Sequence, residues 1–214
     1  MAKIQAVLLD LDGTLIDAFA PIVRAMNQTL FELGLPQLTE LEIRRHTGKG
    51  DCSMSSLFGE QKEAAGKRFI EIHDEDYFTG ISPLSGASEI LDFLQSQNIP
   101  TAIVTSKGQL RAEQQIHHLG WQDKVHSIVG KIDGRPSKPD PEPLLLASAN
   151  IQIDIQSCIM IGDGIADMKA AKRAGCPAIA LSHSFSDSEL KEAGASMTFS
   201  SLDKVQTWLI TQIN

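Results

Sequence analysis

Asp10 and Asp12 end an apolar run, VLLDLDGTLID, and two positions apart in extended chain both side chains project to the same side. Gly13 and Thr14 follow and permit a sharp exit. A second apolar run ends in Thr105-Ser106-Lys107, which offers a hydroxyl, backbone donors and a helix start. A third ends in Gly162-Asp163-Gly164, with Asp167 one helical turn later. The cation comes from RPSKPDPEP, where Lys138 sits in a loop fixed by Pro136, Pro139, Pro141 and Pro143. Converging carboxylates raise one another's pKa unless a cation compensates them, and an all-oxygen site of few carboxylates suits Mg²⁺. A metal, a lysine and backbone N–H groups around one carboxylate meet the needs of a phosphoryl group, and an aspartate nucleophile forming an aspartyl-phosphate is an established form of covalent catalysis.

The elements that must position these groups read as alternating strand and helix. Strands are predicted at AVLLDL, IPTAIVTS and SCIMIGDG, continuously apolar as in a parallel sheet covered on both faces, with further candidates at KVHSIVG, CPAIALS and ASMTF. Between them lie helical patterns at SGASEILDFLQSQN, QLRAEQQIHHLG, PEPLLLASAN and IADMKAAKRAG, the second and fourth ending on glycines placed as helix C-caps. The alternation predicts a doubly wound parallel α/β sheet of the Rossmann-like kind, in which ligands sit beyond the carboxyl ends of the strands. One segment breaks the pattern. Residues 17–82 contain only helical stretches: APIVRAMNQTLFELG, LTELEIRRHTG with Thr39 and Glu42 spaced as a capping box, CSMSSLF, and KEAAGKRFIEIHDEDYF. The predicted organisation is therefore an α/β core over residues 1–16 and 83–214 with an α-helical insertion at 17–82, and Gly80 to Gly86 as the return linker.

Composition narrows the partners. A net charge of -8 disfavours nonspecific attraction to nucleic acid or anionic membrane, while leaving room for a small anionic ligand in a local pocket. Cys52, Cys158 and Cys176 are far apart and odd in number, so reduced, mostly buried thiols are expected rather than disulfides or zinc. The N-terminal apolar run is broken by acids at once and fits neither a secretory signal nor a membrane span, which points to the cytoplasm.

Taken together, Asp10-Leu-Asp12-Gly-Thr-Leu, Thr105, Lys138 and Gly162-Asp163 with Asp167, in this order at strand ends, resemble the four motifs of the haloacid dehalogenase-like hydrolase superfamily. The resemblance covers essentially the whole chain. It implies that Asp10 attacks phosphorus, that Asp12 protonates the leaving oxygen and then activates water, and that Thr105 and Lys138 bind the phosphoryl oxygens. It also implies Mg²⁺ held by the Asp10 carboxylate, the Asp12 backbone carbonyl and Asp163, with Asp167 supporting them. An acid at position 12 argues against dehalogenation, which has no alkoxide to protonate. The insertion directly after the first motif, and KPDPEPLLLA, resemble the phosphoglycolate phosphatase branch, in which such an insertion is a cap over the site. Thr47-Gly48-Lys49 resembles a cap loop that reaches substrate, and Lys49 would suit a second anionic group. Ser106, where many relatives have Asn, would join Thr105, Lys138 and Lys49 in binding substrate; Gly164 is a second departure from the pattern.

The expected partner is thus a small phosphorylated metabolite, with phosphoglycolate the leading guess, and the chain a monomer or homodimer. Within the family the alternatives are a phosphosugar mutase, a pyrophosphatase or a nucleotidase. Outside it stands a noncatalytic binding protein, against which retention of every reactive position argues. Other polar residues have structural readings. Asp17 is expected as a helix N-cap. Arg44 and Arg45 fit a solvated helix end as well as a substrate contact, and His117-His118 suits a helix C-terminus better than a metal.

Overall fold

The structure, a computed structural model, describes residues 3–49, 56–75 and 77–213. Strands β1 (Ala6–Leu9), β4 (Thr101–Gly108), β5 (Ser127–Lys131), β6 (Cys158–Gly162), β7 (Ala178–Leu181) and β8 (Met197–Phe199) form one parallel sheet in the order β5-β4-β1-β6-β7-β8. β1 is buried on both faces. Its Val7 and Leu9 pack with α4 (Ala87–Ser96), α5 (Gln109–His118) and α9 (Leu202–Ile213), while Ala6 and Leu8 pack with α6 (Glu142–Asn150), α7 (Ile165–Ala174) and α8 (Asp187–Ala193). This two-sided burial explains why the strands read as unbroken apolar runs. Because the strands are parallel, the ends of β1, β4 and β6 open on the same edge, and that edge receives Asp10, Thr105 and Asp163. The predicted doubly wound α/β sheet is the fold observed.

Helices α8 and α9 went unassigned in the sequence, although Ser186 and Glu189 form the capping box that opens α8. The inserted segment begins and ends on a feature too short to read: β2 (Ile16–Asp17) pairs antiparallel with β3 (Ser82–Pro83), so the chain leaves and returns through one two-stranded ribbon. Between them run α1 (Phe19–Glu32), α2 (Glu40–Thr47), a 3-10 stretch at Ser56–Gln61 and α3 (Lys62–Glu75). Phe19, Ile22, Met26 and Leu30 recur at helical spacing along α1 and close a separate apolar cluster with Ile43, Phe58 and Ala65. The Thr39–Glu42 capping box of α2 is present as expected. Most of CSMSSLF lies outside the described residues. α3 stops at Glu75, short of the predicted stretch.

Cys158 and Cys176 are free and buried; Cys52 lies outside the described residues. Among the described residues no helix is long and apolar enough to cross a membrane.

Candidate active site

Asp10 follows β1, Asp163 follows β6 and Asp167 lies in the first turn of α7, and one carboxylate oxygen from each lies within 4.8 Å of the others, all three residues buried. Two glycines make this crowding sterically feasible. A Cβ at Gly13 would lie 2.6 Å from Asp163 Oδ2, and one at Gly162 would lie 2.5 Å from Asp167 Oδ2. Lys138, also buried, donates from Nζ to Asp10 Oδ1 at 2.7 Å and to the Val104 carbonyl at 2.6 Å, and pairs with Asp167 Oδ1 at 2.6 Å. Asp167 Oδ2 accepts from the Gly164 N–H at 2.9 Å, which also caps α7. Asp163 is met by the Thr14 hydroxyl at 3.4 Å, a weak contact for a buried carboxylate.

One ammonium against three buried carboxylates leaves the cluster short of positive charge. Burial, then repulsion from Asp167, pushes Asp10 up to about 7, with Lys138 pulling the other way. Burial, followed by Asp10 and Asp167, raises Asp163 well above the ordinary carboxylate range. For Lys138 burial opposes the charge, but Asp10 and Asp167 outweigh it and its pKa ends above that of a free lysine. A divalent cation with oxygen preference would supply the missing charge, so the donor set fits Mg²⁺.

Asp12 projects beside this cluster and receives Lys107 Nζ at 2.7 Å; the same ammonium donates to Gln115 Oε1 at 2.6 Å. Thr105 Oγ1 accepts from the Lys107 N–H at 3.1 Å, and Ser106 Oγ accepts from Ser137 Oγ at 3.0 Å. Asp10, Asp12, Thr105, Ser106, Lys138, Asp163 and Asp167 all line one cavity of about 740 Å³. Its other wall is the inserted segment, through residues such as Phe19, Phe58, Phe69 and His73. Thr47 and Gly48 also line the cavity, whereas Lys49 next to them is exposed and outside its lining.

Lys107, Gln115 and His73 were missed as site residues. Lys107 was read only as part of a helix start; the signal available was Asp12 itself, since a carboxylate at the end of a buried run calls for a cation. Arg44 and Arg45 lie outside the cavity lining and are engaged by other partners. Arg44 bridges Asp17 and Glu40 at 2.9 and 2.7 Å and lies over the Phe19 ring. Arg45 donates to the Ser184 carbonyl at 2.9 Å and to Glu189 at 2.5 Å, and lies over Phe185. Asp17 is not the N-cap expected of it: Ala18 holds that position in α1, and Asp17, one residue earlier, accepts from the Phe19 N–H at 3.2 Å.

The profile of haloacid dehalogenase-like hydrolases matches residues 7–181. A phosphoglycolate phosphatase from Xanthomonas campestris pv. campestris is 32% identical over 181 residues, covering 82% of this chain and 82% of that one. An N-acetylmuramic acid 6-phosphate phosphatase from Pseudomonas aeruginosa is 30% identical over 190 residues, covering 86% and 84%. Among solved structures, a hydrolase from Pseudomonas syringae superposes with a TM-score of 0.82 at 29% identity over 98% of this chain and 100% of that one. A haloacid dehalogenase-like hydrolase from Bacteroides fragilis gives 0.87 at 24% over 95% and 100%.

Proposed function

Because the chain belongs to the haloacid dehalogenase-like hydrolases, we propose that it is a Mg²⁺-dependent phosphomonoesterase working through an aspartyl-phosphate on Asp10. Asp10 attacks phosphorus in line with the ester oxygen, and the P–O bond to the leaving alkoxide breaks as the Asp10–P bond forms. Asp12, held by Lys107, gives its proton to that alkoxide; it then takes one from water, which attacks the acyl phosphate and releases inorganic phosphate with Asp10 restored. Thr105, Ser106 and Lys138 face the transferring oxygens. Lys138 spends its donors on Asp10, Asp167 and Val104 in this structure, so a phosphoryl oxygen would take over one of those bonds. Asp10, Asp163 and the Asp12 carbonyl would hold Mg²⁺, with Asp167 behind them; once bound, the ion supplies charge stabilisation on the phosphoryl oxygens.

Residues 17–82 act in this reading as a cap that excludes water and selects substrate. Relatives acting on phosphoglycolate and on N-acetylmuramic acid 6-phosphate support a phosphorylated acid as substrate, phosphoglycolate being the smaller candidate.

The observation that carries the proposal is the buried convergence of Asp10, Asp163 and Asp167 in one cavity, with the Lys138 ammonium paired to Asp10 and Asp167. Phosphate release across phosphoglycolate, sugar phosphates, nucleotides and pyrophosphate, with Mg²⁺ or EDTA, tests it. Mg²⁺-dependent release, lost in Asp10→Asn, is expected. Release that survives EDTA would remove the metal role, and a near-normal rate in Asp10→Asn would reject the nucleophile.

A further inference from the structure

The cavity is far larger than a two-carbon acid phosphate needs. Its volume of about 740 Å³ falls in the upper part of the ~300–1,000 Å³ range of clefts that enclose drug-sized ligands. Its charged groups are concentrated on the side of the sheet, and the wall facing them is mostly apolar, with Phe19, Phe58, Phe69 and Ile70 beside Thr47 and His73. Three large apolar side chains stay in the open along this cavity and the depression beside it. Ile70 is 46% exposed, Ile132 44% and Leu110 66%. One such residue would be ordinary surface, but Ile70 on α3 and Ile132 after β5 come from separate elements and line the same cavity, and Leu110 on α5 joins Ile132 in the depression beside it. That depression, of about 710 Å³, shares Gly108, Arg111, Lys131, Ile132 and Asp133 with the cavity and adds Leu110, Tyr77 and Gln114.

Resting on the phosphatase reading, we propose that the substrate carries its phosphoryl group on an elongated amphipathic body, larger and more apolar than a two-carbon acid. With phosphorus at Asp10, the apolar face lies against Phe69, Ile70 and Ile132, and a polar distal end reaches the rim at Arg111, Lys131 and Asp133. Arg111 is held in place there by Asp74 at 2.5 Å. Phosphoglycolate, with no apolar face, would leave this wall without a partner.

A series of straight-chain alkyl phosphates from methyl to hexyl isolates the body from the chemistry, because every member presents the same phosphoryl group. Each methylene buried against the wall is expected to raise kcat/KM up to about four-fold until the apolar surface is covered. Ile70→Asn and Ile132→Asn, at exposed positions where the fold tolerates polar groups, are expected to lower the hexyl-to-methyl ratio several-fold. A flat series alongside good hydrolysis of phosphoglycolate would overturn this inference and leave the phosphatase reading standing. A rising series whose slope neither variant changes would overturn the placement of the body. Absence of turnover with every ester would overturn the phosphatase reading, and this inference with it.

Discussion

The two walls of the cavity are built on opposite principles. The sheet wall is polar and anchored: Asp10 and Asp163 directly follow the fully buried strands β1 and β6, whose backbone ladders run up to them, and Thr105 ends the buried part of β4, where its pairing with β5 becomes irregular. The inserted wall is apolar and local. Its helices close their own cluster around Phe19, Met26 and Ile43, and among the described residues they meet the sheet domain through Arg45 on Ser184 and Glu189, Asp74 on Arg111, and the Gly48 carbonyl accepting from the Ala166 N–H at 2.9 Å. A Cβ at Gly48 would lie 2.8 Å from the Phe185 ring, so the approach is close as well as small. Under the proposed function the chemistry lies with the wall anchored by the sheet and the selection of substrate with the inserted wall.

The largest effect on this contrast is expected from Lys138→Ala. Removing the ammonium leaves Asp10, Asp163 and Asp167 facing one another in a buried site. Breaking a buried charge network by deleting one partner costs about 3–5 kcal/mol, and urea denaturation of the chelated protein should show a loss of that order together with lost turnover. Mg²⁺ should restore much of the stability without the turnover. A stability unchanged by the substitution would mean the carboxylates do not depend on Lys138 for charge.

Next in size is a pH effect on the inserted wall. Burial, then Lys107 and Arg111, lowers the pKa of His73 to about 4, so the ring is neutral at pH 7 and its 3.7 Å approach to Asp74 is not an ion pair. The unfolded chain takes up this proton near 6.5 and the folded chain near 4, so stability falls as pH drops between those values. The full shift sets an upper bound, and the cavity beside His73 is open to solvent, so roughly 1–2 kcal/mol is expected. The difference in unfolding free energy between pH 7 and pH 4.5 should shrink in His73→Asn relative to the parent. An equal difference in both proteins would place the titration elsewhere.

Removing the Arg45 side chain should act more locally. Arg45→Ala deletes the bonds to Ser184 and Glu189 and the contact with Phe185, while the helices keep their own apolar cluster. Amide exchange is expected to speed up several-fold in α2 and around Ala166, with the strands of the sheet unaffected. Uniform acceleration across the protein would show that the two parts unfold together rather than separating.

The same contrast explains which features were readable in the sequence. Strands buried on both faces announce themselves as apolar runs, so the sheet and the acids at its ends could be placed from one sequence. The Thr39–Glu42 box likewise lies within three residues. Lys107 and Asp12 are 95 residues apart, and Arg45 and Glu189 are 144 apart. Nothing local in either partner specifies the other, so both pairs emerged only with the fold. The β2–β3 ribbon escaped because two-residue strands have no period to detect. Helix α8, in contrast, carried a legible capping box that its short length obscured.

The smallest expected effect belongs to Lys49. Its neighbours Thr47 and Gly48 line the cavity while Lys49 is exposed at the end of α2, so it can meet a ligand only in solvent. An exposed ion pair contributes about 0.2–1 kcal/mol, which limits Lys49→Ala to roughly a five-fold change or less. That change should rise in KM for phosphate esters bearing a second anionic group and be absent for a neutral-bodied aryl phosphate. Equal losses on both classes would make Lys49 part of the scaffold of α2, and a loss of a hundred-fold would mean that α2 shifts inward on binding and carries Lys49 with it. The two results separate a wall that only shapes the cavity from one that closes on its contents.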